Sequence, residues 1–293
     1  MLDILLDALI DSLKILPILI VAFALLEILE SRVGEKTERA IEKAGKTGPI
    51  WGSLLGLIPQ CGFSVIGANF YSEHIITVGT LIAIFLSTSD EAFLVMLGHP
   101  DKIVDVFIIM GIKLVIATIS GLIIDALIGN KLLLKHRKEH EEHKHEHIEH
   151  DDHDHCCHHH GAKDIAVCTL KRTLETFIFV LIANVLLGFL IYWITEDSLR
   201  EFMLTDSVFQ PLLTALIGLI PNCAPSVILA TMYVEGYVSL GSVIAGLGTG
   251  AGVGLLMLFR FNKNVKENVK TASLLYLLGA GFGIAVQLIA KLF

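Results

Sequence analysis

Residues Pro49 to Leu97 recur without a gap as Pro211 to Phe259, 162 positions later. A chain that repeats itself at a constant offset folds into two like units, so a topology drawn for one copy has to serve the other. The best-matched stretch reads GLIPQCGFSVIGANFYSE in the first copy, with Pro59, Cys61, Ser64, Tyr71 and Glu73. In the second it reads GLIPNCAPSVILATMYVE, with Pro221, Cys223, Ser226, Tyr233 and Glu235. Each copy is an apolar run interrupted at its middle by a polar tip.

Composition fixes the solvent. Of 293 residues 54% are hydrophobic, the mean hydropathy is +0.69, and charged residues crowd into a few short stretches. This is the make-up of an all-α integral membrane protein. At about 1.5 Å per residue, segments able to cross about 30 Å of hydrocarbon run from Ile4 to Leu29, Ile76 to Leu97, Ile103 to Ile128, Leu174 to Ile194, Val238 to Phe259 and Ala272 to Phe293. Those are the expected spans. The first carries Asp3, Asp7 and Asp11 on one helical side and lacks a basic start or a small-residue cleavage site, so it reads as a retained helix rather than a signal peptide. The formal charge of -8 arises from loop acids and does not indicate nucleic-acid binding.

Loop charge decides whether the repeated tips cross the bilayer. Of 22 Lys and Arg, five lie between Ser31 and Thr47, eight between Asn130 and Arg172, and four between Arg260 and Lys270, whereas Thr195 to Ser207 has only Arg200 against four acids. The three basic stretches belong on the cytoplasmic side. They share that side only if residues 50–71 and 212–233 enter and leave the membrane on one face. Pro59 removes a backbone donor and Gly62 loosens the turn, which leaves arms of about ten residues, half a bilayer each. The expected fold is therefore two inverted-topology repeats, each of three transmembrane helices and one re-entrant helical hairpin. Repeat one covers residues 1–130 with its hairpin at 49–73, a cytoplasmic His-rich linker covers 131–163, and repeat two covers 164–293 with its hairpin at 211–235. Both termini are external, in a multi-pass protein of the cell (inner) membrane.

Unpaired backbone at membrane depth is tolerated only inside protein or beside a water-filled cavity, so paired tips near the midplane are a binding locus. Gln60, Cys61 and Ser64 from one tip, with Asn222, Cys223 and Ser226 from the other, are candidate substrate ligands. Thiols suit a soft metal, whereas amides, hydroxyls and helix ends suit an anion. The alternative is that the two Cys are small residues packing a tight crossing. The segment Ser87-Thr88-Ser89-Asp90-Glu91 has no acidic counterpart at Thr249-Gly250-Ala251-Gly252-Val253. Intramembrane acids are costly and mark ion pathways, so Ser87, Asp90 and Glu91 join the candidate site, with Ser87 and Glu91 expected on one helix face. Lys113, near the midplane of the next span, offers a purely structural partner for either acid. Gly241, Gly246, Gly248, Gly250, Gly252 and Gly254 permit close helix approach; with no strand before them they are not a nucleotide loop. Asn69, Asn184, Thr231 and Gln287 read as interhelical hydrogen-bonding groups, and Asp125 and Lys291 as residues that snorkel.

The insert from His136 to His160 holds eleven of the thirteen histidines together with Cys156 and Cys157. Such a tract binds transition metal by composition, His153, His155, Cys156, Cys157 and His158 being its densest ligands, and the linker role is the alternative. No resident cofactor is expected beyond a transported or loop-bound metal.

The duplicated Pro-Gln/Asn-Cys tips, the segment Ser87 to Ala92 and the His-rich central loop resemble the family of ten-helix heavy-metal exporters, often labelled manganese transporters and distantly similar to organoarsenical permeases. The resemblance spans nearly the whole chain. It implies export of a metal or metalloid species, with Cys61, Cys223, Asp90 and Glu91 carried over as candidate sites; the carboxylates suit manganese and the thiols softer ions.

The expected activity is secondary active transport by alternating access, with a divalent metal or metalloid as cargo and a proton or sodium as coupling ion. A permease for an organic anion or organoarsenical solute would use the same central site. No Walker motif and no nucleophile paired with a base is present, so neither an ATP-driven pump nor an enzyme is expected. Lipid is the expected partner, nucleic acid is not, and a homo-oligomer is compatible with the sequence. Single-cysteine labelling from outside the cell should modify positions 195–207 and spare positions 130–172; the reverse pattern would overturn the topology.

Overall fold

The computed structural model describes residues 47–58, 62–73, 75–88, 92–99, 102–129, 173–179 and 209–292, with single positions at 13, 16, 17, 20, 170, 171, 181, 182, 185 and 186. Ten α-helices are complete among these residues, and no strand occurs among them. The first set is α1 (Gly48–Gly56), α2 (Gly62–Ser72), α3 (Val78–Ser87), α4 (Ala92–Leu97) and α5 (Ile103–Ile124), the last running into a π-helical turn at Asp125–Gly129. The second set is α6 (Gln210–Gly218), α7 (Ala224–Val234), α8 (Leu240–Thr249), α9 (Val253–Phe261) and α10 (Val265–Leu292). Each helix of the second set begins within one residue of 162 positions after its counterpart, so the repeat extends through α5 and α10. The expected spans at 4–29 and, for the most part, 174–194 lie outside the described residues, as do the linker 131–163 and the loop 195–207.

Two of the expected continuous spans are broken. Ile76 to Leu97 divides into α3 and α4, and Val238 to Phe259 into α8 and α9, at equivalent positions. In the first copy the Ser87 hydroxyl donates to the carbonyls of Ala83 and Ile84 at 2.8 and 3.0 Å, and the Thr88 hydroxyl donates to Ile84 at 2.7 Å. Hydroxyls that engage the last-turn carbonyls compete with helix continuation, and Thr88 turns extended, with ψ 124°. In the second copy glycine performs the same break: Gly252 has φ 51°, a conformation L side chains avoid. The expectation that Ser87 and Glu91 share a helix face therefore fails, because the helix ends at Ser87. The basic stretch Arg260 to Lys270 is likewise no simple loop. Only Asn262 to Asn264 link α9 to α10, whose first turns carry Lys266 and Lys270.

Local capping follows the repeat while its chemistry varies. The Thr77 side chain accepts from the Thr80 amide at 3.1 Å to start α3, and Ser239 accepts from the Ser242 amide at 3.2 Å to start α8. In repeat one Asp125 completes this cap, accepting from the Thr77 hydroxyl at 2.6 Å and the Gly79 amide at 2.9 Å. Asp125 is thus half-buried and structural instead of snorkelling. In repeat two Gln210 takes the part, its carbonyl oxygen accepting from the Ser239 amide and the Ser242 hydroxyl. Thr231 also departs from expectation, since its hydroxyl bonds the Val227 carbonyl within its own helix at 3.0 Å.

Within each repeat the helix before the break packs between the first and last helices, α3 between α1 and α5, and α8 between α6 and α10. Glycines permit the closest crossings. A Cβ at Gly79 would collide with the Gly121 carbonyl and Asp125, and one at Gly241 with the Gly283 carbonyl and Gln287. The helices after the breaks do the opposite and join the other repeat, α9 lying on α2 and α4 on α7. Both main apolar clusters are consequently mixed. One combines Val65, Leu81 and Phe85 with Val253, Met257 and Leu275; the other combines Met96, Val106 and Ile109 with Leu229, Val243 and Leu247.

Among the described residues three helical stretches are long and apolar enough to cross a membrane, Ile103–Leu127, Leu240–Phe261 counted across its break, and Val265–Leu292. The middle one is 89% buried against 33% and 28% for the others, which places the broken helix in the core and α5 and α10 at the apolar periphery.

One packing exchange tests the repeat. Gly67 on α2 faces Ile84 on α3, whereas at the equivalent positions Leu229 on α7 faces Gly246 on α8. The bulk has changed sides at nearly constant volume. Gly67→Leu alone should cost about 1–3 kcal/mol by overpacking against Ile84, and Gly67→Leu with Ile84→Gly should recover most of the loss. Thermal unfolding in detergent reads both; strictly additive losses would refute the equivalence.

Candidate functional site

A helix that ends in the core leaves carbonyls without intrahelical partners and a partial negative charge directed at its end. α3 and α8 both end this way, with Thr88 and Thr249 buried. Repeat two answers with a hydroxyl: Thr249 donates to the Ala215 carbonyl of α6 at 2.7 Å, and to the Ala245 and Gly246 carbonyls of its own helix. Repeat one makes the equivalent own-helix bonds from Ser87 and adds a cation. Lys113, in the middle of α5 and 1% exposed, donates from Nζ to the Thr88 carbonyl and to the Leu247 carbonyl at 2.9 Å. One ammonium therefore ties the end of α3 to the last turn of α8 in the other repeat. Its equivalent in repeat two is the apolar, buried Leu275.

Several sequence candidates converge on the second break. Ser64 on α2 is fully buried and lies against Gly254, where a Cβ would stand 2.5 Å from the serine Cβ. Ser226 on α7 is buried beside Gly250, with Oγ 3.3 Å from where a Cβ would stand. Cys223, at the N-cap of α7, is buried and belongs to the apolar cluster that α2, α3, α9 and α10 build. Asn222 is half-buried and its Oδ1 accepts from the Ala224 amide at 3.1 Å, which fixes the turn before α7. Ser87 lies elsewhere, over Gly56 of α1, with its hydrogen turned onto its own helix. Gln60, Cys61, Asp90, Glu91 and the loop ligands His153, His155, Cys156, Cys157 and His158 lie outside the described residues, and among the described residues no three His, Cys, Asp or Glu side chains cluster. The Nζ of Lys113 stands at the residue from which Ser89, Asp90 and Glu91 follow.

Sequence reasoning missed a second pair of contacts. The Tyr233 hydroxyl at the end of α7 donates to Asp105 Oδ2 at 3.0 Å, and Lys102 reaches the same oxygen at 3.3 Å with its Nζ 5.1 Å from the Tyr233 ring centre. The equivalent positions of the other repeat hold Tyr71 at the end of α2 and Glu267 on α10. The Tyr233–Asp105 bond joins the hairpin segment of repeat two to the last helix of repeat one. The signal was available: Asp105 and Glu267 keep the 162-residue offset beyond the segment in which the two copies are most alike.

Comparison with known proteins adds one finding. Two stretches, residues 1–194 and 163–256, match the model of the family described as "Putative, 10TM heavy-metal exporter". No curated protein and no solved structure is similar enough to match. With its broken apolar helices, paired repeats and a family match running from residue 1 to residue 256, the chain belongs to that family.

Proposed function

We propose that the chain is a secondary active exporter of a divalent metal or metalloid ion, working by alternating access in a scaffold of two inverted repeats and driven by protons or sodium. The observation that carries this reading is the pair of helix breaks at equivalent positions, Thr88 and Gly250, buried among helices of both repeats. Interrupted helices in corresponding places of two halves mark substrate and ion sites in transporters. Cargo and coupling ion are assigned to the first break, through Asp90 and Glu91, since two adjacent acids at membrane depth are too costly to keep for packing alone. The tips bearing Cys61 and Cys223 complete the site as re-entrant hairpins. The half-bilayer lengths of α1, α2, α6 and α7 support this, at nine or eleven residues each. The His-rich linker gathers metal on the cytoplasmic side without forming part of the pathway.

Inverted repeats put Tyr233–Asp105 toward the outer membrane face, where it serves as a latch. A hydrogen bond to a carboxylate contributes about 1.5–3 kcal/mol, so breaking one latch shifts an inward–outward equilibrium by about tenfold or more. In a background whose only cysteine is Cys223, Tyr233→Phe should speed its modification by an impermeant thiol reagent applied outside. An unchanged rate would remove this contact from the gating.

The reading as a whole is tested by transport into proteoliposomes across divalent metals, arsenicals and organic anions, with and without imposed proton and sodium gradients. Asp90→Asn and Glu91→Gln should each lower the rate at least about tenfold, the weight of one lost charge-assisted contact, while leaving folded protein in the membrane. Near-normal metal transport by the double variant would exclude the first break as the site.

A further inference from the structure

We propose that the Lys113 ammonium occupies a monovalent-cation site formed by backbone carbonyls of both repeats, so that the chain carries its own positive charge where a sodium-coupled transporter would bind sodium. The inference rests on the proposed coupled transport and narrows it, because a site already filled by a tethered cation leaves the proton as the coupling ion there. Four observations support it. The acceptors, Thr88 and Leu247, are carbonyls at helix C-terminal ends, where the dipoles favour a cation. They come from different repeats, so a cation between them reports on their relative position. The ammonium is 1% exposed, far too buried to be held by solvent. A narrow crevice beside it, lined by Leu86, Ile244, Gly248 and Phe282, leaves the lysine stem bounded by apolar groups, as expected of a side chain threaded through the core to deliver its charge.

The charge matters at this place more than the side chain's bulk. The equivalent position in repeat two is the buried, uncharged Leu275, and there Thr249 repeats the bonds of Ser87 to its own helix end and adds one to the Ala215 carbonyl of α6. Shortening Lys113 removes the cation and vacates its place between the two carbonyls.

The test is thermal unfolding of the purified full chain in sodium, potassium or choline chloride. The parent protein should be indifferent to the replacement of sodium by choline. Lys113→Ala should unfold earlier in choline and gain about 2 °C or more in sodium or potassium, whereas Lys113→Met, which fills the space without charge, should gain nothing. A folded Lys113→Ala protein with no cation dependence overturns the proposal. If Lys113→Ala cannot be obtained folded, Lys113→Arg must yield more folded protein than the nearly isosteric Lys113→Met; equal or better yield from Met overturns it. None of these readouts measures transport. A failure of the assigned exporter activity and a failure of this site are therefore distinguishable.

Discussion

A helix that stops within a hydrocarbon-facing core has to find partners for its last carbonyls inside the protein. In this chain two helices stop there, α3 at Ser87 and α8 at Thr249, and much of the remaining architecture answers that demand. Ser87, Thr88 and Thr249 turn their hydroxyls onto last-turn carbonyls, and Lys113 bridges from one end to the last turn of the other helix. The chain beyond each break then leaves its own repeat and packs on the other, α4 on α7 and α9 on α2. Neither repeat has a complete core alone. The breaks are thus both the costliest feature of the fold and the reason its halves depend on each other.

The two copies share a backbone and divide the chemistry. Asp125 and Lys113 in the first correspond to Gln287 and Leu275 in the second, and the polar run Ser87 to Glu91 corresponds to a glycine-rich run. The exchanged pairs Gly67–Ile84 and Leu229–Gly246 show how such divergence is tolerated, since bulk moves across a contact while its volume is kept. Charge cannot be exchanged so freely, because each buried charge needs its own acceptors. The concentration of ionisable groups in the first copy therefore marks where the symmetry of the scaffold yields to chemistry.

Much of this was legible in the residues. The constant offset, the two short helices separated by Pro59 or Pro221 and the apolar helices at α5 and α10 follow from pattern and length. The breaks at 88 and 250 were not read as breaks, since a window of apolar residues with a few hydroxyls or glycines looks the same whether the helix continues or stops. Gly252 and Thr88 decide it through backbone conformation, which hydropathy does not record. Lys113 was read as a partner for an acid. That its ammonium meets carbonyls from both repeats depends on the packing of α3 against α8, a contact with no local signature. Tyr233 stood out as a repeated residue, yet its acidic partner Asp105 comes from the opposite repeat, so no window along the chain could join them.

The exchange of α4 and α9 also bears on how such a molecule moves. Bodies that shift against each other have to keep their apolar cores intact, since exposing either cluster would cost far more than the few kcal/mol that separate working conformations. Both clusters contain helices of both repeats, so a movement that separated repeat one from repeat two would tear each of them. The division that spares the cores runs between the clusters, with α2, most of α3, α9 and α10 on one side and α4, α7 and α8 on the other. α5 contributes to each. Lys113 sits on α5 and joins Thr88 at the end of α3 to Leu247 of α8, from one cluster to the other. The polar tie that satisfies the broken helix therefore spans from one apolar cluster to the other.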